Sequence, residues 1–304
     1  MDTSPHKSDF VNVNGIKLHY LDWGGEGETL LFLTGLGLSA HIYDKLAPRF
    51  TDSFRVLALT RRAHGDSDYP DNGYDIDTLV EDIRQFLDAL SIHRVILVGH
   101  SLAGAELTHF AGTYSERVIK LVYLDALDDR RELPTIMEKN PLKGIEPPKA
   151  EDGPFTIEEY IENLKANRPD LADIWSELWD IEIIHSIKKD SDGKIIDRMP
   201  EKVEKLLKDS LFAYVPVEIK IQIPILSFHV LGEARLPDYL SEEQKKLSGQ
   251  FDKDVRLPFR KRLIAEFHNR FPYAKIVVIP DGHHYCFIAQ EELVYDEMRK
   301  FLLE

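Results

Sequence analysis

Six apolar runs of strand length recur along the chain: TLLFLTG from Thr29, FRVLALT from Phe54, RVILVG from Arg94, IKLVYLD from Ile119, IPILSFHV from Ile223 and AKIVVIP from Ala274. Successive side chains of a strand face opposite ways, so a run without polar alternation is buried on both faces. Strands of that kind belong to a mostly parallel sheet covered by helices on either side. Parallel neighbours need crossover connections, and helical periodicity between the runs supplies them. In TLVEDIRQFLDAL the residues Leu79, Val80, Ile83, Phe86, Leu87 and Leu90 recur with a 3.6-residue period, and LVYDEMRKFLL closes the chain in the same way. The start differs: DFVNVNGIKLHYLDWG alternates in polarity and turns through Asn14-Gly15, which reads as a hairpin. The expected fold class is α/β, a doubly wound, mostly parallel sheet with an antiparallel beginning.

The alternation stops between Asp128 and Gln222. FTIEEYIENLKAN, DLADIWSELWDIEII and EKVEKLLKDSL all read as helical, with GIEPPKAEDGPF as a Pro- and Gly-rich connector. The expected organisation is a core of residues 1–127 and 223–304, interrupted by a helical cap over residues 128–222. Hydrophobic residues at 43% and charged residues at 30% are those of a globular chain. A formal charge of −15 with no Lys/Arg run argues against a nucleic-acid partner. MDTSPHKSDF lacks the apolar segment of a signal peptide, and no stretch has the length of a membrane span. Cys286 is the single cysteine, so an internal disulfide is excluded, and a cytoplasmic protein without membrane attachment is expected.

In open α/β sheets ligands gather at the carboxyl ends of the strands. There the chain places TGLG, TRRAHGDSD, GHSLAG, Asp125 and DGHHYCF. A hydroxyl, a carboxylate and an imidazole therefore arrive at three separate strand ends, in the order Ser101, Asp125, His284. Ser101 as a mere helix cap is the plain alternative. The neighbouring His283 and His284 converge poorly on one ion, and no Cys or carboxylate spacing supports them, so no metal site is expected.

With those residues in view, the sequence resembles a cap-bearing member of the α/β-hydrolase superfamily over nearly its whole length. GHSLAG resembles the nucleophile elbow G-x-S-x-G, with Ala103 in place of the last glycine and Gly104 following. The resemblance implies Ser101 as nucleophile, His284 as base, and oxyanion donors in the backbone N–H groups of Leu36 and Leu102. The acid is either Asp125, which ends the strand before the cap, or Glu233, after the strand that follows it; Asp125 is favoured. His283 is read as a supporting group. The loop TGLG has Thr34 where the family has histidine, so only a backbone donor is expected there. TRRAHGDSD resembles the family's R-G-x-G-x-S turn with Ala63 in place of glycine, and Arg62 and Asp66 are read as structural.

The implied activity is cofactor-free hydrolysis of a small carboxylic ester, or of a lactone or amide, through an acyl-enzyme. The same three side chains serve lyases and cofactor-free peroxidases, and a ligand receptor with incidental turnover shares them too. Epoxide hydrolases and haloalkane dehalogenases would need an aspartate at Ser101. Trp175, Trp179 and Tyr214 are candidates for the cap's inner face.

Overall fold

The computed structural model describes residues 6–147 and 153–304. The first five residues of the MDTSPHKSDF segment, and residues 148–152 of the predicted connector, lie outside the described residues. The chain opens with β1 (Lys7–Val13) and β2 (Ile16–Gly24), an antiparallel pair joined by Asn14 and Gly15 at φ +49° and +77°. Two successive positive φ values make the turn that matches the twist of the flanking strands. There follow β3 (Thr29–Leu33), β4 (Arg55–Leu59), α1 (Ile76–Ala89), β5 (Val95–His100), α2 (Ala103–Thr113) and β6 (Val118–Leu124).

Between β6 and the next sheet strand lie α3 (Leu133–Glu138), α4 (Ile157–Asn167), α5 (Pro169–Ala172), α6 (Glu177–Ser186), β7 (Ile187–Lys189), β8 (Ile195–Asp197) and α7 (Glu201–Ala213). The chain then returns as β9 (Ile225–Val230), α8 (Glu242–Phe251), α9 (Leu257–Arg270), β10 (Lys275–Ile279), α10 (Cys286–Ala289) and α11 (Glu291–Leu303). Eight strands form one sheet in the order β1-β2-β4-β3-β5-β6-β9-β10, antiparallel at β1–β2 and β2–β4 and parallel thereafter.

The six apolar runs are continuous because the sheet divides them between two cores. Leu31, Leu57, Leu97 and Leu121 face one cluster, with Phe86 of α1 and Phe110 of α2. Their neighbours Phe32, Ala58, Val98 and Val122 face the other, with Met298 and Phe301 of α11. In α1 the side chain of Asp75 caps the Thr78 amide, and Ile76, Leu79, Val80, Ile83, Phe86 and Leu87 are buried on one stripe.

The stretch between β6 and β9 differs in part from the expected run of helices. Residues 187–197 form the β7–β8 hairpin, turned by Asp190 and by Gly193 at φ +82°. DLADIWSELWDIEII does not stay one helix: α5 ends near Asp173, and Ser176, extended at φ −155°, restarts the chain as α6. Among the described residues no helix is long and apolar enough to cross a membrane.

Candidate active site

Ser101 stands where β5 breaks into α2, at φ +54°. A non-glycine residue in this left-handed region carries about 1–3 kcal/mol of strain, which the surroundings must impose. They do so through close packing. A Cβ on Gly104 would lie 2.0 Å from the Ala126 carbonyl oxygen, so the first turn of α2 sits directly on the backbone that follows β6. Ala103 is buried without such a clash, which makes Gly104, one residue later than the motif's last glycine, the position where a side chain is forbidden.

The hydroxyl of Ser101 lies 3.1 Å from His284 Nε2, and His284 Nδ1 lies 2.6 Å from Asp125 Oδ2. With Nδ1–H donating to the carboxylate, Nε2 is left as the acceptor for the serine proton. Asp125 follows β6 at φ +47°, a conformation that aspartate tolerates better than most residues, and is 2% exposed. Burial by itself would push its carboxyl up. The Arg260 guanidinium, the His284 hydrogen bond and the Val230 amide outweigh burial and hold it well below the usual carboxylate range. Glu233, the other sequence candidate, is exposed on the loop after β9 and makes no hydrogen bond to His284.

The histidines beside this chain of hydrogen bonds hold backbone groups. His100, the last residue of β5, is linked through Nε2 to the His284 carbonyl at 3.0 Å, and burial keeps it neutral, well below the ordinary histidine range. His283 likewise makes a 3.0 Å bond from Nε2 to the Asp170 carbonyl of α5 and accepts the Tyr285 amide. Leu102 caps the N-terminus of α2, where backbone N–H groups lack helical acceptors. Leu36 lies in the loop after β3. A Cβ on Gly35 would meet His100 Nδ1 at 2.7 Å and Ser101 Cβ at 3.3 Å, so that loop rests against the elbow. Arg61, buried after β4, fixes it further: it donates to the Thr34 carbonyl at 2.9 Å and, through Nε, to Glu106 of α2 at 2.7 Å. Neither Arg61 nor Glu106 was singled out from the sequence, where only the repeat of arginines in TRRAHGDSD marks the place.

Arg62 pairs with buried Asp82 of α1, and Ala63 beside it takes φ +56°, which explains why a glycine would suit this turn. Asp66 accepts from His185 of α6 at 2.5 Å and from Arg198, after β8, at 2.6 Å. Glu182 of α6 accepts the Ser39 amide and hydroxyl, each at 2.7 Å. Three contacts thus fasten the stretch between β6 and β9 to the loops after β3 and β4. At the same seam His41 stacks on His185 with centroids 3.8 Å apart. Two groups with ligand atoms within metal-binding reach occur there among the described residues, His6–His41–Asp44 and His19–His41–Asp66. Several of their atoms already take part in hydrogen bonds within the protein: Asp44 bridges His6 and His41, and His19 is held between Ser8 and Thr60.

A cavity of about 880 Å³ opens between α5, the loop after β9 and the loop bearing His284. Asp125, His284, Arg168, Ile174, Glu233 and Arg260 are among its lining residues, so it meets the hydrogen-bonded chain from the histidine side. The expected aromatic lining is corrected here. Trp179 is 2% exposed and packs edge-on against Tyr285 at 5.0 Å, while Trp175 stacks beside it at 6.1 Å. Tyr214 is buried in the opposite cluster, near His109 of α2. All three are packing residues, and Trp179 seats α6 on the loop that carries His284.

The chain is similar to known proteins in sequence and in fold. The family model for the alpha/beta hydrolase fold matches residues 28–152. A putative non-heme haloperoxidase of Mycobacterium phage D29 is 37% identical over 103 residues, 34% of this chain and 37% of that one. A non-heme chloroperoxidase of Streptomyces lividans is 35% identical over 117 residues, 38% of this chain and 42% of that one. The matches therefore span less than half the length of these curated relatives. The solved structure of an E-2-(acetamidomethylene)succinate hydrolase superposes with a TM-score of 0.75 at 20% identity, covering 98% of this chain and all of that one. The chain has the α/β-hydrolase fold, and the family model matches residues 28–152 of it.

Proposed function

We propose that this protein is a serine hydrolase that cleaves a small carboxylic ester, or a related lactone or amide, through an acyl-enzyme. The observation that carries the reading is the continuous chain Ser101 Oγ, His284 Nε2, His284 Nδ1, Asp125 Oδ2, with steps of 3.1 and 2.6 Å across imidazole and carboxylate. A serine hydroxyl is a weak nucleophile until a base removes its proton. His284 accepts that proton as Ser101 Oγ attacks the carbonyl carbon, and Asp125 holds the ring in the required tautomer and stabilises its protonated form. The oxyanion that forms is received by the amides of Leu36 and Leu102. His284 then gives the proton to the leaving oxygen or nitrogen. Water, deprotonated by the same nitrogen, clears the acyl group from Ser101.

The stretch between β6 and β9, fastened over the strand ends by Glu182 and Asp66, acts as the cap, and the cavity beside α5 receives part of the substrate. The haloperoxidase names of the matched relatives keep peroxide chemistry at the same serine as a second reading. Labelling with a fluorophosphonate tests the first. Ser101 is expected to take the label, and Ser101→Ala to lose both labelling and hydrolysis of p-nitrophenyl acetate while its melting curve is retained. Undiminished hydrolysis by that variant would remove the assignment.

A further inference from the structure

The carboxylate that orients His284 is itself gripped by a cation. Arg260, on α9, donates from Nη2 to Asp125 Oδ1 and from Nε to the Val230 carbonyl at 3.0 Å. The two oxygens of Asp125 are thereby divided. Oδ2 takes the His284 ring at 2.6 Å; Oδ1 takes the guanidinium and, at 3.2 Å, the Val230 amide. The Asp125 side chain is 1% exposed and that of Arg260 23%, so this ion pair lies where solvent screens little of it. A second guanidinium, Arg130, lines a smaller pocket of about 120 Å³ behind Asp125 together with Arg260 and Leu263.

An acid in this position does two things: it fixes the ring's orientation, and its charge favours the protonated ring. A cation on its far oxygen strengthens the first and opposes the second. We propose that Arg260 is a positioning residue that locks Asp125 against His284 while offsetting the charge that the carboxylate presents to the ring. This rests on the reading of His284 as the base of a serine hydrolase. Other groups face the ring as well. His100 from β5 and His283 from the same loop are held neutral mainly by burial. Exposed Glu233 and Asp281, and the Arg168–Asp170 pair, look into the same cavity.

The guanidinium reaches the ring through one carboxylate. At a separation of roughly 6–7 Å one unit charge changes proton affinity by about threefold at the dielectric constant of water and about 70-fold at an effective value of about 20, with about tenfold between those limits. The experiment is the rate of fluorophosphonate labelling of the full chain from pH 4.5 to 8, with folding checked by melting curves at each pH. In Arg260→Met and Arg260→Gln the acid limb is expected to move up by about one pH unit. Arg260→Lys, which keeps the charge but not the two-pronged grip, should leave the limb within about 0.3 unit of wild type and lower the plateau. A limb that stays put or moves down in the neutral variants overturns the proposal, as does an equal upward move in Arg260→Lys. If neither neutral variant folds, Arg130→Gln decides, with a smaller upward move expected and an unmoved limb overturning the charge argument. Failure of Ser101 to take label in the wild type would instead bring down the hydrolase reading beneath it.

Discussion

Replacing Gly104 by alanine adds one methyl group at the point where α2 touches the backbone after β6. That methyl would sit 2.0 Å from the Ala126 carbonyl oxygen and 2.6 Å from its carbon, whereas ordinary contact begins near 3.4 Å. Helix and segment must therefore separate by about 1.4 Å, the difference between those distances. Both partners are backbone, so no rotamer change relieves the clash. Overpacking of this kind costs about 1–3 kcal/mol. Ala126 adjoins Asp125, and Gly104 lies three residues after Ser101, so the same movement stretches the 2.6 and 3.1 Å steps of the hydrogen-bonded chain. Misplacement by about 1 Å at reacting groups can cost on the order of 100-fold in rate. Gly104→Ala is thus expected to unfold at lower urea concentration and to take a fluorophosphonate label about 100 times more slowly than wild type. Gly249→Ala is the matched control. It lies in α8, is exposed and meets nothing within 4 Å, so the same added methyl should stabilise by about 0.4–1 kcal/mol and leave labelling alone. Wild-type stability and labelling in Gly104→Ala would refute the reasoning.

Asp125→Asn should lower ester turnover by about 10⁴-fold, as loss of an orienting carboxylate does in a serine protease, while Glu233→Gln should leave it unchanged. Steady-state kinetics on the two folded variants decides the matter, and the opposite ranking would shift the acid to the loop after β9. Stability should also decline with acidification. Burial, chiefly, lowers the pKa of His19 to about 4, His64 to about 3 and His229 to about 4. In the unfolded chain each takes up its proton near 6.5, so between that pH and the folded value the unfolded state binds more protons. Their contribution is complete above about pH 6.5 and is lost as pH falls through the window, at up to about 1.4 kcal/mol per pH unit for each histidine. Urea midpoints measured from pH 7 to 5 should fall accordingly; a flat profile would contradict neutral burial of these rings.

The sheet was legible because its cause is local: a strand buried on two faces must be apolar at every position, and Leu30 to Leu33 or Val95 to Val98 state this directly. The Asn14-Gly15 hairpin was legible because few other residue pairs accept two positive φ values. Ser101, Asp125 and His284 could be nominated because strand ends are places where backbone direction is known. The aromatic side chains of the stretch between β6 and β9 could not be assigned. Spacing shows that Trp175 and Trp179 share a helical region, but not whether that face meets a cavity or, as found, Tyr285. The β7–β8 hairpin has strands of three residues each, too short for any period to register. Arg260 was invisible for another reason. Its partner lies 135 residues away, and an arginine among the several of LPFRKRLIAEFHNR carries no mark of which one turns inward.

Glu182 gives the stretch between β6 and β9 a role in more than enclosure. Its carboxylate receives both donors of Ser39, three residues beyond Leu36, and all of these atoms are buried. The loop that presents the Leu36 amide is therefore seated partly by a residue supplied from another part of the chain. Grafting a different insertion onto this sheet would leave a buried amide and a buried hydroxyl without an acceptor, at about 1–3 kcal/mol for each group. For protein engineering, the unit of exchange is then larger than the insertion itself. A transplanted insertion must bring its own acceptor for Ser39, or the loop must be redesigned along with it, so the insertion and the seating of the Leu36 loop are inherited together.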